Sequence, residues 1–510
     1  MNAKMPAGET PPDTIAPAAS ALDQDLHSEQ DLHTEQGIHA ELGRQLQQMR
    51  SAFAAEGVVT LEVRLDRLKR CTDLLLDNQQ ALCTAVETDF GCRAPVVTQM
   101  ADLMTTLQSL KFARKHLRKW MQAEKRSAPF PMNMFGARAM VHYQPKGVIG
   151  IMSPWNVPIN VLFSPLIDAL GAGNRVMLKA SEFTPATSQL LADLFSRYFD
   201  QNEIHVVTGA ANVAAAFSAL PLDHLIFTGS SQVGRHILQA AAANLTPVTL
   251  ELGGKSPVVV SASANLEEVV EKIIGGKIIN SGQLCISPDY CFVPQARMEE
   301  FITLSKAAFA RFFNGCLDNS DYVSIINQKN FERLTAYVEE AEQQGVELVN
   351  LDPLQQPWRQ NPQRKMPLHL LIDPADNLQV MQQEIFGPLL CLKPYNELQD
   401  CINDINRRPR PLALYYFGDN QAEQETLIAT TIAGGMSVND IGVHYACDDL
   451  PFGGIGNSGM GQLHGRDGFR TCSHAKAVLN QGRVNIPKLF GTLPPFGSKV
   501  EKTLQRVLKK

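Results

Sequence analysis

No stretch of 18 consecutive apolar residues occurs in the 510-residue sequence, and the N-terminus MNAKMPAGETPPDTIAPAAS lacks the charged-then-apolar order of a secretion signal. A cytoplasmic protein without a stable membrane anchor is the expectation. Cations are not gathered into blocks: 46 Lys and Arg stand against 52 Asp and Glu, a formal net charge of −6 with no basic stripe. That argues against nucleic acid as a partner. The ten cysteines, at 71, 83, 92, 285, 291, 316, 391, 401, 447 and 472, include no C-x-x-C pair and no zinc-like spacing. Reduced thiols fit this pattern better than a disulfide framework or a structural metal. No internal repeat of solenoid length is present. What is present, 44% apolar and 19% charged residues over a length beyond the growth limit of one core, describes two or three ordinary globular domains.

The two ends differ from the middle. Residues 1–40 are rich in Pro, Ala and Gln, with no long apolar face, and read as a mobile arm. Within the arm DLHSEQ, DLHTEQ and GIHAEL space His27, His33 and His39 six residues apart. Six residues turn a helix by about 600°, so the three imidazoles do not share a face, and a solvated repeat is favoured over a metal site. The last residues, KVEKTLQRVLKK, form a basic amphipathic tail. It is read as a solvated terminal helix in preference to a membrane contact.

From about Gln45 apolar residues recur at three and four positions, first through LEVRLDRLKRCTDLLLDNQQALCTAVETDF and then through MADLMTTLQSLKFARKHLRKWM. The pattern changes to strands in AMVHYQPKGVIGIMSP. Strand-then-helix units follow: NRVMLKAS before TPATSQLLADLFSRYF, EIHVVTG before AANVAAAFSAL, and DHLIFTG before SQVGRHILQAAAANL. This alternation predicts a parallel α/β sheet with helices on both faces. A second α/β block begins near Ser256, where SPVVVSASA reads as a strand, LEEVVEKIIGGKIINSG as a helix and CFVPQ as a strand, and it runs to about Ala433.

Three glycine patterns compete for a nucleotide. G-I-G-N-S-G (454–459) matches G-x-G-x-x-G in letters, but no strand leads in and no helix follows, so it reads as a loop that covers or anchors something. LGAGNRV precedes its strand and reads as a helix-to-strand turn. FTGSSQVGR lies between a strand and a helix, where backbone N–H groups and the helix dipole receive phosphate. Gly229 and Gly234 have Walker spacing, yet Arg235 and His236 replace the required Lys and Ser/Thr, which disfavours an NTPase and leaves a dinucleotide pyrophosphate open. Lys179 and Glu182, in LKASEFTP, follow a parallel strand at its carboxyl end, where a carboxylate can hold ribose hydroxyls.

Cys285 follows the turn NSGQL. Alone it would read as packing, since free cysteine usually behaves as a small hydrophobe. Together, PWNVP (154–158), LKASEFTP, FTGSSQVG, TLELGGKSP, NSGQLC, EIFGP (384–388) and PFGGIGNSGMG stand in an order that resembles the aldehyde dehydrogenase superfamily from about residue 45 to 490. The wording of the motifs is most similar to the class 3 and fatty aldehyde branch, and within it to bacterial coniferyl aldehyde dehydrogenases. The resemblance implies an α/β fold with a Rossmann-like cofactor domain (41–125 and 145–253), a catalytic domain (254–447) and a small oligomerisation β extension (126–144 and 470–490). It further implies a homodimer that uses NAD, with NADP also admissible.

The resemblance also implies roles. Cys285 would attack the aldehyde carbon, Asn156 would hold the oxyanion with the Cys285 backbone N–H, and Glu251, 34 positions before the cysteine, would activate the hydrolytic water. Lys179 and Glu182 would bind the adenosine ribose, Ser230 and the turn from Gly229 to Gly234 the pyrophosphate, and Glu384 the nicotinamide ribose, with Phe386 beside it. Ala180 and the pair Ser231-Gln232 depart from the commoner family residues and bear on cofactor preference, not on the reaction. Coniferaldehyde oxidised to ferulate is the sharpest substrate expectation, with fatty or other aromatic aldehydes behind it. A cofactor-free cysteine hydrolase is disfavoured because no His flanks Cys285 or Glu251. A non-catalytic nucleotide binder is disfavoured by the joint presence of Cys285, Glu251 and Asn156, and an acylating enzyme by the retained Glu251.

Overall fold

Runs such as VIGIM, and VML within RVMLK, are apolar at successive positions, and a strand of that kind is stable when helices cover both faces of its sheet. In the computed structural model, which describes residues 34–130 and 132–509, both are buried along their whole length. They belong to a six-stranded sheet in the order Gly459–Met460, Val248–Leu252, His224–Gly229, Val148–Met152, Arg175–Lys179, Ile204–Val207. Neighbours are parallel except at the Gly459–Met460 edge, where Gly459 stands opposite Glu251. The chain starts at Val148–Met152, winds to one side, then returns to the other through His224–Gly229. That reversal opens a crevice beyond the carboxyl ends of those two strands.

The second block forms a seven-stranded sheet, ordered Glu347–Asn350, His369–Ile372, Leu389–Tyr395, Pro288–Pro294, Ser256–Val260, Ala413–Phe417, Gly435–Val438, parallel except for its first strand. The two halves meet backbone against backbone. A Cβ at Gly434 would lie 2.4 Å from the Gly453 carbonyl oxygen, and one at Gly453 would lie 2.3 Å from that of Gly461. Such approaches admit only glycine.

The third sheet pairs Glu124–Arg126, Arg138–Pro145 and Ser473–Asn480, all antiparallel. Ser473–Asn480 is largely exposed on both faces.

Several elements differ from the sequence reading. Helix Glu35–Glu56 begins inside the segment read as an arm, with the Thr34 side chain accepting from the Gly37 N–H at 3.0 Å and Leu42, Leu46 and Met49 buried. His27 and His33 lie outside the described residues and His39 is exposed; among the described residues no group of three or more metal-ligating side chains occurs. The helix expected through LEEVVEKIIGGKIINSG ends at Ile278, because Asn280 and Ser281 adopt left-handed backbone. The GIGNSG segment is a turn leading into the edge strand beside Glu251.

Candidate active site

A cavity of about 990 Å³ fills the crevice and is lined from both halves. Its approach from the second half is the NSG turn. Asn280, Ser281 and Gly282 have φ of 51°, 51° and 72°, and the first two can hold that backbone only if their surroundings compel it. Ser281 donates to the Val323 carbonyl, and the buried Gln283 amide donates to the carbonyls of Asn280 and Ser324, both at 3.0 Å, while accepting from the Ile326 N–H at 3.0 Å. A Cβ at Gly282 would stand 2.4 Å from the Gly387 carbonyl oxygen, so the turn fits against the EIFGP segment only with glycine there.

The turn delivers Cys285, partly exposed, to the cavity, and no other cysteine lines it. Cys291 is buried in the core of its strand. Burial, with smaller contributions from the Glu384 and Glu251 carboxylates, pushes the Cys285 thiol up to about 12, so it rests protonated at neutral pH. Glu251 is 4% exposed and neither of its carboxyl oxygens has a hydrogen-bond partner. Burial holds its carboxyl well above the usual carboxylate range.

Asn156 follows strand Val148–Met152 at the crevice. Its Nδ2 donates to the Gln283 carbonyl at 3.1 Å, and its Oδ1 is buried without a partner. Its backbone carbonyl accepts from Asn280 Nδ2 at 2.9 Å and from Arg93 at 3.1 Å. Arg93 also pairs with Asp102 at 2.6 Å, both fully buried, and the other Asp102 oxygen accepts from the N–H groups of Ile159 and Asn160 at 3.0 and 3.2 Å. One ion pair therefore pins the backbone at Asn156 and in the turn just after it.

Glu384 is raised to about 8, first by burial and then by Asp289. Phe386, at φ 47°, sets its ring edge-on to Trp155 with centroids 5.4 Å apart.

At the other end the cavity meets helix Ser231–Ala242. Ser230 caps it, accepting from the Val233 N–H at 3.3 Å, and Gly229, Ser230, Ser231, Gln232 and Arg235 line the wall. A helix amino end, a hydroxyl and a guanidinium form a donor set that suits a diphosphate, so these residues fit a dinucleotide. Lys179 ends the next strand over, level with Met152. Its buried ammonium donates to the Ala180 carbonyl at 2.8 Å and lies 3.7 Å from Glu182.

The cavity thus gathers Asn156, Gly229, Ser230, Glu251, Cys285, Glu384 and Phe386; Lys179 and Glu182 lie outside it on the same sheet edge, and Gly234 is buried behind its wall. The model of the aldehyde dehydrogenase family matches residues 26–478. The chain belongs to that family. Relatives of this aldehyde dehydrogenase include the coniferyl aldehyde dehydrogenase of Pseudomonas sp. and a probable coniferyl aldehyde dehydrogenase of Caulobacter vibrioides. Each is 44% identical over 466 residues, covering 91% of this chain and 96% of the relative. The substrate-bound state of Staphylococcus aureus AldH superposes with a TM-score of 0.83 at 32% identity, covering 91% of this chain and 99% of that one. As an aldehyde dehydrogenase the protein oxidises an aldehyde to its acid with NAD(P) as cofactor.

Sequence reasoning missed Arg93, Asp102 and Tyr445. Tyr445 lines the cavity, donates to Asn160 Oδ1 and stands edge-on to His464 at 4.9 Å. None of the three lies in a motif, and only the folded chain brings them to the site.

Proposed function

We propose that Cys285 is the nucleophile, Asn156 the oxyanion donor and Glu251 the base for hydrolysis, and that coniferaldehyde, oxidised to ferulate, is the preferred substrate. The observation that carries the assignment is that the one cysteine facing the cavity shares it with Glu251 and Asn156. The Cys285 thiol, partly exposed in the cavity, must lose its proton to solvent before attack. Sulfur then bonds to the carbonyl carbon as the C=O π pair moves to oxygen, and that oxyanion meets the Asn156 amide and the Cys285 N–H. The chemistry NAD(P) supplies when bound is acceptance of a hydride from that carbon. Ser230, the turn from Gly229, Lys179, Glu182, Glu384 and Phe386 would hold it, with Gly234 letting the helix pack closely. Glu251, once its carboxyl has given its proton to solvent, removes a proton from water, whose oxygen bonds to the thioester carbon; the C–S bond breaks, releasing the acid and the Cys285 thiolate.

The coniferaldehyde reading rests on relatives that carry that name and on a wall built partly from Trp155, Ile279, Ile441, Val443 and Tyr445, which suits a flat, largely apolar aldehyde. We also assign residues 41–125 and 145–253 to cofactor binding, 254–447 to catalysis, and 126–144 with 470–490 to a homodimer contact.

Two measurements test the proposal. Reduced-cofactor formation with coniferaldehyde, benzaldehyde, hexanal and decanal, with NAD and NADP separately, is expected to give coniferaldehyde the highest kcat/KM; a lead for decanal would move the substrate to fatty aldehydes. In Glu251→Gln the first turnover is expected to persist as a burst while steady-state turnover falls by about 10²-fold or more. Loss of the burst itself would remove Glu251 from the hydrolytic role.

A further inference from the structure

The turn GIGNSG (454–459), read from the sequence as a loop that covers or anchors something, touches both halves of the molecule. Toward the first half, the Ser231 hydroxyl, at the start of the helix whose amino end suits a diphosphate, donates to the Asn457 carbonyl at 3.0 Å. The Leu252 N–H donates to the Ser458 carbonyl, also at 3.0 Å. Toward the second half, a Cβ at Gly456 would lie 3.7 Å from Cδ of Arg410. The stem of Arg410 therefore rests on the turn, one residue away from the contact with Ser231.

Six cations line the cavity: Arg235, Lys255, Arg333, Arg407, Arg408 and Arg410. Four are engaged. Lys255 pairs with Asp289 and donates to the Val380 carbonyl at 2.7 Å, and Arg333 donates to the Ile385 carbonyl at 2.9 Å. Arg407 pairs with Asp376 at 2.7 Å and Arg408 with Asp404 at 2.8 Å. Arg235 and Arg410 have neither an ion pair nor a hydrogen bond among the described residues. One comes from each half, and two free guanidiniums on one cavity make it a receptor for an anion. The aldehyde is uncharged and supplies none. The diphosphate of the cofactor carries two negative charges.

We propose that Arg410 is a ligand of the cofactor diphosphate, reaching it from the second half, opposite Ser230 and Arg235, with the GIGNSG turn holding its stem. The proposal rests on seating the diphosphate at the amino end of helix Ser231–Ala242. A guanidinium meets phosphate oxygens through paired, charge-assisted hydrogen bonds, which fix direction as well as distance. Arg410 shares its half with Cys285, so this contact ties the cofactor to the half that carries the nucleophile.

The test is calorimetric titration of the cofactor-free full chain with NADH and with NADPH. Arg410→Met is expected to raise Kd about tenfold or more for both, since both carry the diphosphate, with Arg410→Lys recovering part of the loss and Tm unchanged in either variant. Arg235→Met is expected to weaken binding in the same direction. Unchanged Kd in Arg410→Met would overturn the proposal. So would a loss confined to NADPH, which would assign Arg410 to the 2′-phosphate, or a loss matched by a lower Tm in both Arg410 variants, which would make the residue a strut for the turn. Ser230→Ala, measured alongside, separates the two readings. If it weakens NADH binding and Arg410→Met does not, the arginine alone is wrongly assigned; if neither changes Kd, the diphosphate itself is wrongly seated.

Discussion

Cys285 is reachable and yet protonated at rest, because burial, with smaller contributions from the Glu384 and Glu251 carboxylates, raises its thiol. In the cofactor-free protein, alkylation of Cys285 by iodoacetamide is expected to rise about tenfold per pH unit from 7 to beyond 9. A rate that levels off near pH 8 would contradict the raised thiol. Glu384 gives a stability signature. Its carboxyl moves from 4.5 to about 8 on folding, so between those values the folded chain binds a proton that the unfolded chain releases. Its contribution to stability is therefore full below about pH 4.5 and is lost as pH rises through about 8. Glu384→Gln should flatten the fall of Tm across that window, which a thermal-melt series against pH would read. Cys285, Glu251 and Asn156 were legible in the sequence because each sits in a short motif whose order along the chain is informative. Arg93 and Asp102 were not, because a buried ion pair is written as two ordinary charged residues and gains its meaning only from the backbone at Asn156, Ile159 and Asn160 that it holds.

Elements made of apolar strands could be read directly, since VIGIM and the VML of RVMLK are not stable in water on either face. The NSG turn could not, because a helical run leads into it and Ser281, unlike Asn280, belongs to a residue type that rarely adopts positive φ. That backbone is imposed by Gln283, by the Ser281 bond to Val323, and by the fit of Gly282 on Gly387. Gly282→Ala should displace the turn and lower kcat by more than about tenfold, with KM for the cofactor nearly unchanged. Equal loss in cofactor affinity would show that the turn supports the whole crevice and not Cys285 alone. Asp102→Asn should destabilise the fold by about 3–5 kcal/mol, read by urea unfolding, because it leaves the Arg93 guanidinium buried without its counter-charge.

At the scale of the whole molecule, strand Ser473–Asn480 has little covering either face, an arrangement that a partner normally completes. Light scattering is expected to return twice the 56.1 kDa of the chain, and Leu479→Asp, placed on an exposed position of that strand, is expected to shift the mass toward one chain. A parent protein of single-chain mass would remove the homodimer assignment. The division into two α/β blocks was legible from their rhythm. The return of the chain to the first sheet through Gly459–Met460 was not, because a two-residue edge strand leaves no periodicity.

The glycine contacts between the halves bear on how the protein can change over time. Glu251 belongs to one half and Cys285 to the other, and at Gly434 and Gly453 the halves meet main chain against main chain. Side chains in either core can be exchanged, generation after generation, without altering that approach, because no side chain enters it. The interiors are free to drift while this contact is not, so among descendants of this chain Gly434 and Gly453 should stay fixed as the surrounding core positions diverge.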